Sequence, residues 1–157
     1  MKRLFLFLLS ALILGGCAKE SAVELVSFTD TGCSKGTKAP ETKADDDSSK
    51  LILEYSDSGL IITRTNATMN CSIGTGGISF DVSIVDNVIS CDAYETIGPI
   101  MKCICPVDRM VATVAGLRTG REYVLNYSCS DVTLLPVTFT YKKGMRIVVD
   151  VDMVEYH

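Results

Sequence analysis

The chain of 157 residues has no tryptophan and one histidine, His157, at its last position. Without a histidine inside the folded part, serine–histidine and cysteine–histidine catalysis lack their usual base. Zinc sites lose a common ligand for the same reason. Basic residues are few, 15 Lys and Arg against 19 Asp and Glu. An acidic chain with no basic stripe argues against nucleic acid as a partner. It also offers no polybasic patch to anionic lipid. No long segment keeps a helical period, and no repeat of the solenoid or propeller kind is present. The apolar run Leu4 to Leu14 falls well short of the roughly 20 residues that a transmembrane helix needs.

What is present begins with that short run. Lys2 and Arg3 precede it, and Gly15, Gly16 and Cys17 follow it. A charged start, a short apolar stretch and small residues in that order predict a secretory signal. Leu14-Gly15-Gly16-Cys17 resembles the lipobox of bacterial lipoproteins, where the cysteine is acylated and becomes the mature N-terminus. The resemblance implies a signal peptide over residues 1–16 and attachment to the membrane through lipid on Cys17. Ala18, not aspartate, follows the cysteine. By the same resemblance this implies the outer membrane of the cell envelope, on its periplasmic or its surface side. Each buried acyl CH₂ adds about 0.8 kcal/mol, and more than one chain makes the anchoring stable.

Six cysteines follow Cys17: Cys33, Cys71, Cys91, Cys103, Cys105 and Cys129. An even number in an exported chain predicts up to three disulfides, with the connectivity open. Cys103-Ile104-Cys105 also has a metal-cluster reading, which the lack of histidines disfavours. Residues two apart on a strand share a face. Cys103 and Cys105 are therefore expected to bridge different neighbouring segments, not each other.

Residues 17–49 are expected to form the acylated N-terminus and a flexible tether. Gly36 to Ser49 holds no apolar residue larger than alanine apart from one proline, too little to offset the entropy of ordering. A tether of about 30 residues would reach roughly 30 Å. Within it, Ala22 to Phe28 is apolar enough for a short strand, and a bridged Cys33 would pin that strand to the domain. From residue 50 to 157 the pattern is β. Runs at Leu51–Tyr55, Leu60–Thr65, Thr68–Ile73, Ile78–Ile84, Met110–Val114, Tyr123–Tyr127, Val137–Tyr141 and Ile147–Val151 read as strands. Ser56–Gly59, Asp86-Asn87 and Lys142–Gly144 read as turns between them. About seven to nine short strands predict a β-sandwich or barrel.

Leu117-Arg-Thr-Gly120-Arg-Glu-Tyr123 resembles the corner before strand F in immunoglobulin and fibronectin-III domains. That resemblance implies a Greek-key sandwich in which the Tyr123 hydroxyl bonds back to the main chain, with Leu117 and Gly120 shaping the corner. Thr31-Gly-Cys33, Asn70-Cys71 and Cys103-Ile-Cys105-Pro-Val-Asp108, followed by Gly120-x-x-Tyr123, resemble a group of small Bacteroidota lipoproteins with a similar cysteine layout. No activity is assigned to that group, so the resemblance implies location and a disulfide framework only.

Asp81, Asp92, Glu95, Asp108 and Asp131 are candidates for a carboxylate pair, though their spacing in sequence does not fix their distance in space. Asp108 follows Cys105-Pro106 and is expected to accept hydrogen bonds in a stiff turn. Gly74-Thr-Gly-Gly77 reads as a turn, since neither a helix nor a lysine follows it to hold an anion. No catalytic residue, cofactor or metal is assigned. The expected function is a non-enzymatic binding or interaction module for a glycan, a peptide or another envelope protein. Its ligand would be extracellular or periplasmic. The alternatives are an inhibitor of an extracellular protease, acting through a braced loop near Pro99 or Pro106, and a hydrolase using paired carboxylates.

Overall fold

The computed structural model describes residues 23–33, 48–71, 73, 76–96 and 103–151. The signal and Cys17, most of the tether, Gly74, Thr75, Pro99 and His157 lie outside the described residues. Ten strands are described: β1 (Glu24–Asp30), β2 (Lys50–Ser56), β3 (Gly59–Asn70), β4 (Ile78–Val85), β5 (Val88–Glu95), β6 (Ile104–Ala115), β7 (Glu122–Cys129), β8 (Val132–Thr133), β9 (Val137–Thr140) and β10 (Arg146–Asp150). They form two sheets. The first has the order β1-β6-β3-β2-β10, the second β4-β5-β7-β8, with β9 pairing to β7 as well. β5 and β7 run parallel, and the other described pairs are antiparallel.

Alternation explains the layering. Ile78 and Phe80 of β4, Ile89, Cys91 and Ala93 of β5, and Tyr123, Leu125, Tyr127 and Cys129 of β7 are buried. Opposite them lie Leu51 and Leu53 of β2, Leu60 and Ile62 of β3, and Met110, Ala112 and Val114 of β6. Each large side chain so buried stabilises the fold by about 1.5–3 kcal/mol relative to exposure. Phe28 of β1 stacks on Phe80 of β4 with ring centroids 5.2 Å apart, joining the two sheets directly. The Asp86-Asn87 turn forms as expected, with Asp86 at φ 57°.

Two disulfides brace this framework. Cys33 bridges Cys105, and Cys71 bridges Cys103, each with Cα atoms 5.6 Å apart. Cys103 and Cys105 thus reach to different segments, as expected, although Cys103 lies just before β6 and not on a strand face shared with Cys105. Of the up to three bridges expected, two form, and Cys91 and Cys129 are corrected as disulfide candidates: both are free and buried. They sit on the parallel strands β5 and β7, where Cys91 lies opposite Tyr127 and Cys129 opposite Ala93. The offset of two residues keeps the pair out of register for a bridge. The disulfides also exclude the metal reading of Cys103 and Cys105.

The short strand expected within 17–49 and its pinning by a bridged Cys33 are found, so the first part of that tether is structural: β1 pairs with β6, and Cys33 is locked to Cys105. Two further expectations change. Thr68–Ile73 is not a separate strand, because β3 runs unbroken to Asn70. Asp108 is not in a turn but on an exposed position of β6. Both changes have one cause. β3 pairs with β6 in a single register from Leu60 opposite Val114 to Asn70 opposite Ile104. Within that ladder the buried positions shift phase, from Leu60, Ile62 and Arg64 to Ala67 and Met69, and from Met110 to Val107 and Cys105. Asn66 takes φ 51° at the crossover, a conformation that asparagine tolerates better than most residues.

Gly59 opens β3 at φ +140°, and a Cβ there would overlap the Val114 carbonyl. Gly59→Ala is expected to cost about 2–3 kcal/mol, from strained backbone and the clash together. Urea denaturation checks this, and an unchanged midpoint would contradict the close approach.

Candidate functional site

The five candidate carboxylates separate into two groups and one outlier. Beyond Thr65, β2 no longer covers β3, and backbone N–H groups of β3 turn to side chains of the other sheet. Thr68 N–H donates to Asp131 at 2.8 Å, and Asn70 N–H donates to Glu95 at 2.7 Å. Asp131 also accepts from Arg64 Nη2 at 3.0 Å. Arg64 is an inward residue of β3, and its side chain is only 2% exposed. Its Nη1 donates to the Ser49 hydroxyl and the Thr65 carbonyl. Asp131 and Glu95 are therefore fasteners between the sheets. Asp108 stays apart on β6.

Asp81 and Asp92 do come together. They are directly opposite each other on β4 and β5, which places their Cβ atoms about 4.5–5.5 Å apart. Both project from the outer face of the second sheet. The Tyr94 hydroxyl donates to Asp81 Oδ2 at 3.1 Å, and the Ser128 hydroxyl donates to Asp92 Oδ1 at 2.7 Å. The bond to Asp81 and its charge raise the Tyr94 pKa above its ordinary value.

These two carboxylates line a groove of about 820 Å³ across β4, β5 and β7. Ser83, Ser90, Asn126 and Ser128 share its floor with Val82, Cys91 and Tyr127, and Thr133, Leu134 and Pro136 form one wall. The wall exists because β8 and β9 pair with successive stretches of β7 and leave Leu134 to Pro136 between them. Proline has no N–H to donate to a ladder and is confined to such edges. No Lys, Arg or His lines the groove among the described residues. Period-2 alternation placed Asp81 and Ser83 on the outer face. The parallel pairing of β5 with β7 that brings Asn126 and Ser128 beside them has no local signal.

The corner predicted at Leu117, Gly120 and Tyr123 makes its expected contact. The Tyr123 hydroxyl accepts the Arg118 N–H at 2.8 Å. Gly120 has φ 83°, and Leu117 packs on the core. Arg64 is the residue that sequence reading passed over. Its signal was available, since Leu60, Ile62 and Arg64 share one strand face.

The two free thiols do not suit chemistry. Burial pushes the Cys91 thiol up from 9.0 to about 12. Cys129 is also raised to about 12, by burial first and by the Asp131 charge second. A buried neutral thiol is unreactive. The raised values also set an alkaline limit. The folded thiols hold their protons to higher pH than unfolded ones, so their contribution is complete below 9.0 and is lost as the pH rises toward 12. The urea midpoint is expected to be flat below about pH 8.5 and to fall above it, with a shallower fall in Cys91→Ala. Equal slopes in both proteins would contradict this origin. Thiol titration should find Cys91 and Cys129 unreactive in the folded protein and both reactive once it is denatured.

No protein-family model, curated protein or solved structure matches this chain.

Proposed function

We propose that this chain is an outer-membrane lipoprotein, held through acylated Cys17, whose β-domain binds an extracellular or periplasmic ligand without catalysing a reaction. The groove on the outer face of the second sheet carries the reading. Its volume falls in the range of about 300–1,000 Å³ usual for ligand sites. Asp81 and Asp92 stand side by side on neighbouring strands and project the same way, each already engaged with a hydroxyl. That arrangement accepts hydrogen bonds from one ligand face, whereas acid–base hydrolysis needs groups flanking the bond to be cut. An immunoglobulin-like Greek-key relationship is part of the same reading. The Tyr123–Arg118 contact supports it, and the parallel β5–β7 pair departs from that pattern.

The fold also changes what the anchor does. Cys17 lies seven positions before Glu24, the first residue of β1. Fully extended, that span is at most about 25 Å. An acylated Cys17 would therefore hold the sandwich close to the bilayer. Cys17→Ser is expected to move the protein from the membrane pellet to the soluble fraction, and intact-mass analysis of the wild type should find lipid on Cys17. An unmodified mass with cleavage elsewhere would reject the anchor.

A further inference from the structure

Taking the groove as the ligand face, we propose that its ligand is a neutral glycan. Charge narrows the choice first. Asp81 and Asp92 face each other across adjacent strands, and like charges so placed repel. With no cationic side chain in the lining among the described residues, a phosphate, sulfate or carboxylate ligand would add a third negative charge with nothing there to offset it. Polarity narrows it further. The carboxylates, the hydroxyls of Ser83, Ser90 and Ser128 and the Asn126 amide are set in a lining that is otherwise mainly apolar. An apolar ligand would desolvate these groups without pairing them, at a cost of about 1–3 kcal/mol for each unsatisfied group.

Sugar hydroxyls both donate and accept, so they match this floor. Asp81 and Asp92 accept only, and each is held in place by a hydroxyl of its own. Their remaining lone pairs are preset for donors from a ligand, which lowers the cost of ordering on binding. Leu134 and Pro136 give the groove one apolar wall, suited to the C–H face of a pyranose ring. Polar groups set in a mainly apolar lining are thus complementary to both surfaces of a sugar.

The test uses the full mature chain in detergent against two panels. One holds neutral oligosaccharides of gluco, manno, galacto, xylo and N-acetylglucosamine type, and the other holds Lys- and Arg-rich peptides. A neutral oligosaccharide is expected to bind. Asp92→Ala should weaken that binding about tenfold, as expected for a lost hydrogen bond to a charged group. Ser90→Arg should abolish it by filling the floor. Raising salt to about 0.5 M should change the affinity less than about twofold, since the ligand carries no charge to screen. Asp92 and Ser90 are exposed, and thermal melting verifies that the variants fold. Asn126→Ala serves as a third variant if either does not. Groove-dependent, salt-sensitive binding of basic peptides alone would overturn the glycan assignment and leave the groove as the ligand face. Binding from neither panel that the groove variants remove would overturn both.

Discussion

Asp131→Ala is expected to destabilise the domain by about 3–5 kcal/mol, a large fraction of a total near 5–15. Asp131 joins the two sheets through one carboxylate oxygen, which accepts from Arg64 Nη2 at 3.0 Å and from the Thr68 N–H at 2.8 Å. The pair is withdrawn from water, with side chains 2% and 13% exposed. Truncation leaves a buried guanidinium without its counter-charge and removes the partner of a backbone donor. The cost arises from what remains unpaired, so replacing both members should undo most of it. Arg64→Met with Asp131→Leu is expected to recover the greater part of the lost stability, because a buried ion pair and a well-packed apolar pair of similar volume differ little. Urea denaturation of the two single variants and the double variant measures this. A loss below about 1 kcal/mol would place the pair with exposed bridges, such as Arg146 to Glu54, whose side chains are 58% and 39% exposed.

Cys105→Ala is expected to cost a similar amount, by a different route. The Cys33–Cys105 bridge spans 72 residues and the Cys71–Cys103 bridge 32. Loop-closure entropy assigns about 4 kcal/mol to the longer loop and slightly less to the shorter. The longer bridge has a second role. Cys33 follows β1, the edge strand that carries Phe28 onto Phe80. Opening it frees one end of that strand, so Cys105→Ala should lower the melting temperature more than Cys103→Ala. It should also leave one newly reactive thiol, at Cys33. An unchanged melting temperature, or no gain in thiol titre, would contradict the assigned pairing.

The β class was legible in the sequence wherever alternation was clean. Ile78 to Ile84 alternates with polar residues, and its buried face follows from the two-residue period of a strand. The turns at Asp86-Asn87 and Lys142–Gly144 followed from residues that accept unusual backbone angles. These features are local, and local sterics decide them.

Pairing across the chain was not legible. The crossover at Asn66, where β3 and β6 change their buried positions together, needs both strands in register before either can shift. Asp108 looked like a turn residue because the sequence does not display its partner strand. Cys91 and Cys129 counted among the disulfide candidates because an even count says nothing of register. The groove has the same origin. Strand alternation alone sets Asp81 and Ser83 outward, but only the hairpin register puts Asp81 beside Asp92, and only the parallel β5–β7 ladder adds Asn126 and Ser128. Most strands, the tight turns and the outward face of β4 are encoded locally, because they depend on a residue and its near neighbours. The two disulfides, the buried Arg64–Asp131 pair and the groove arise only on folding, because each joins residues that long-range strand pairing and sheet packing bring into contact.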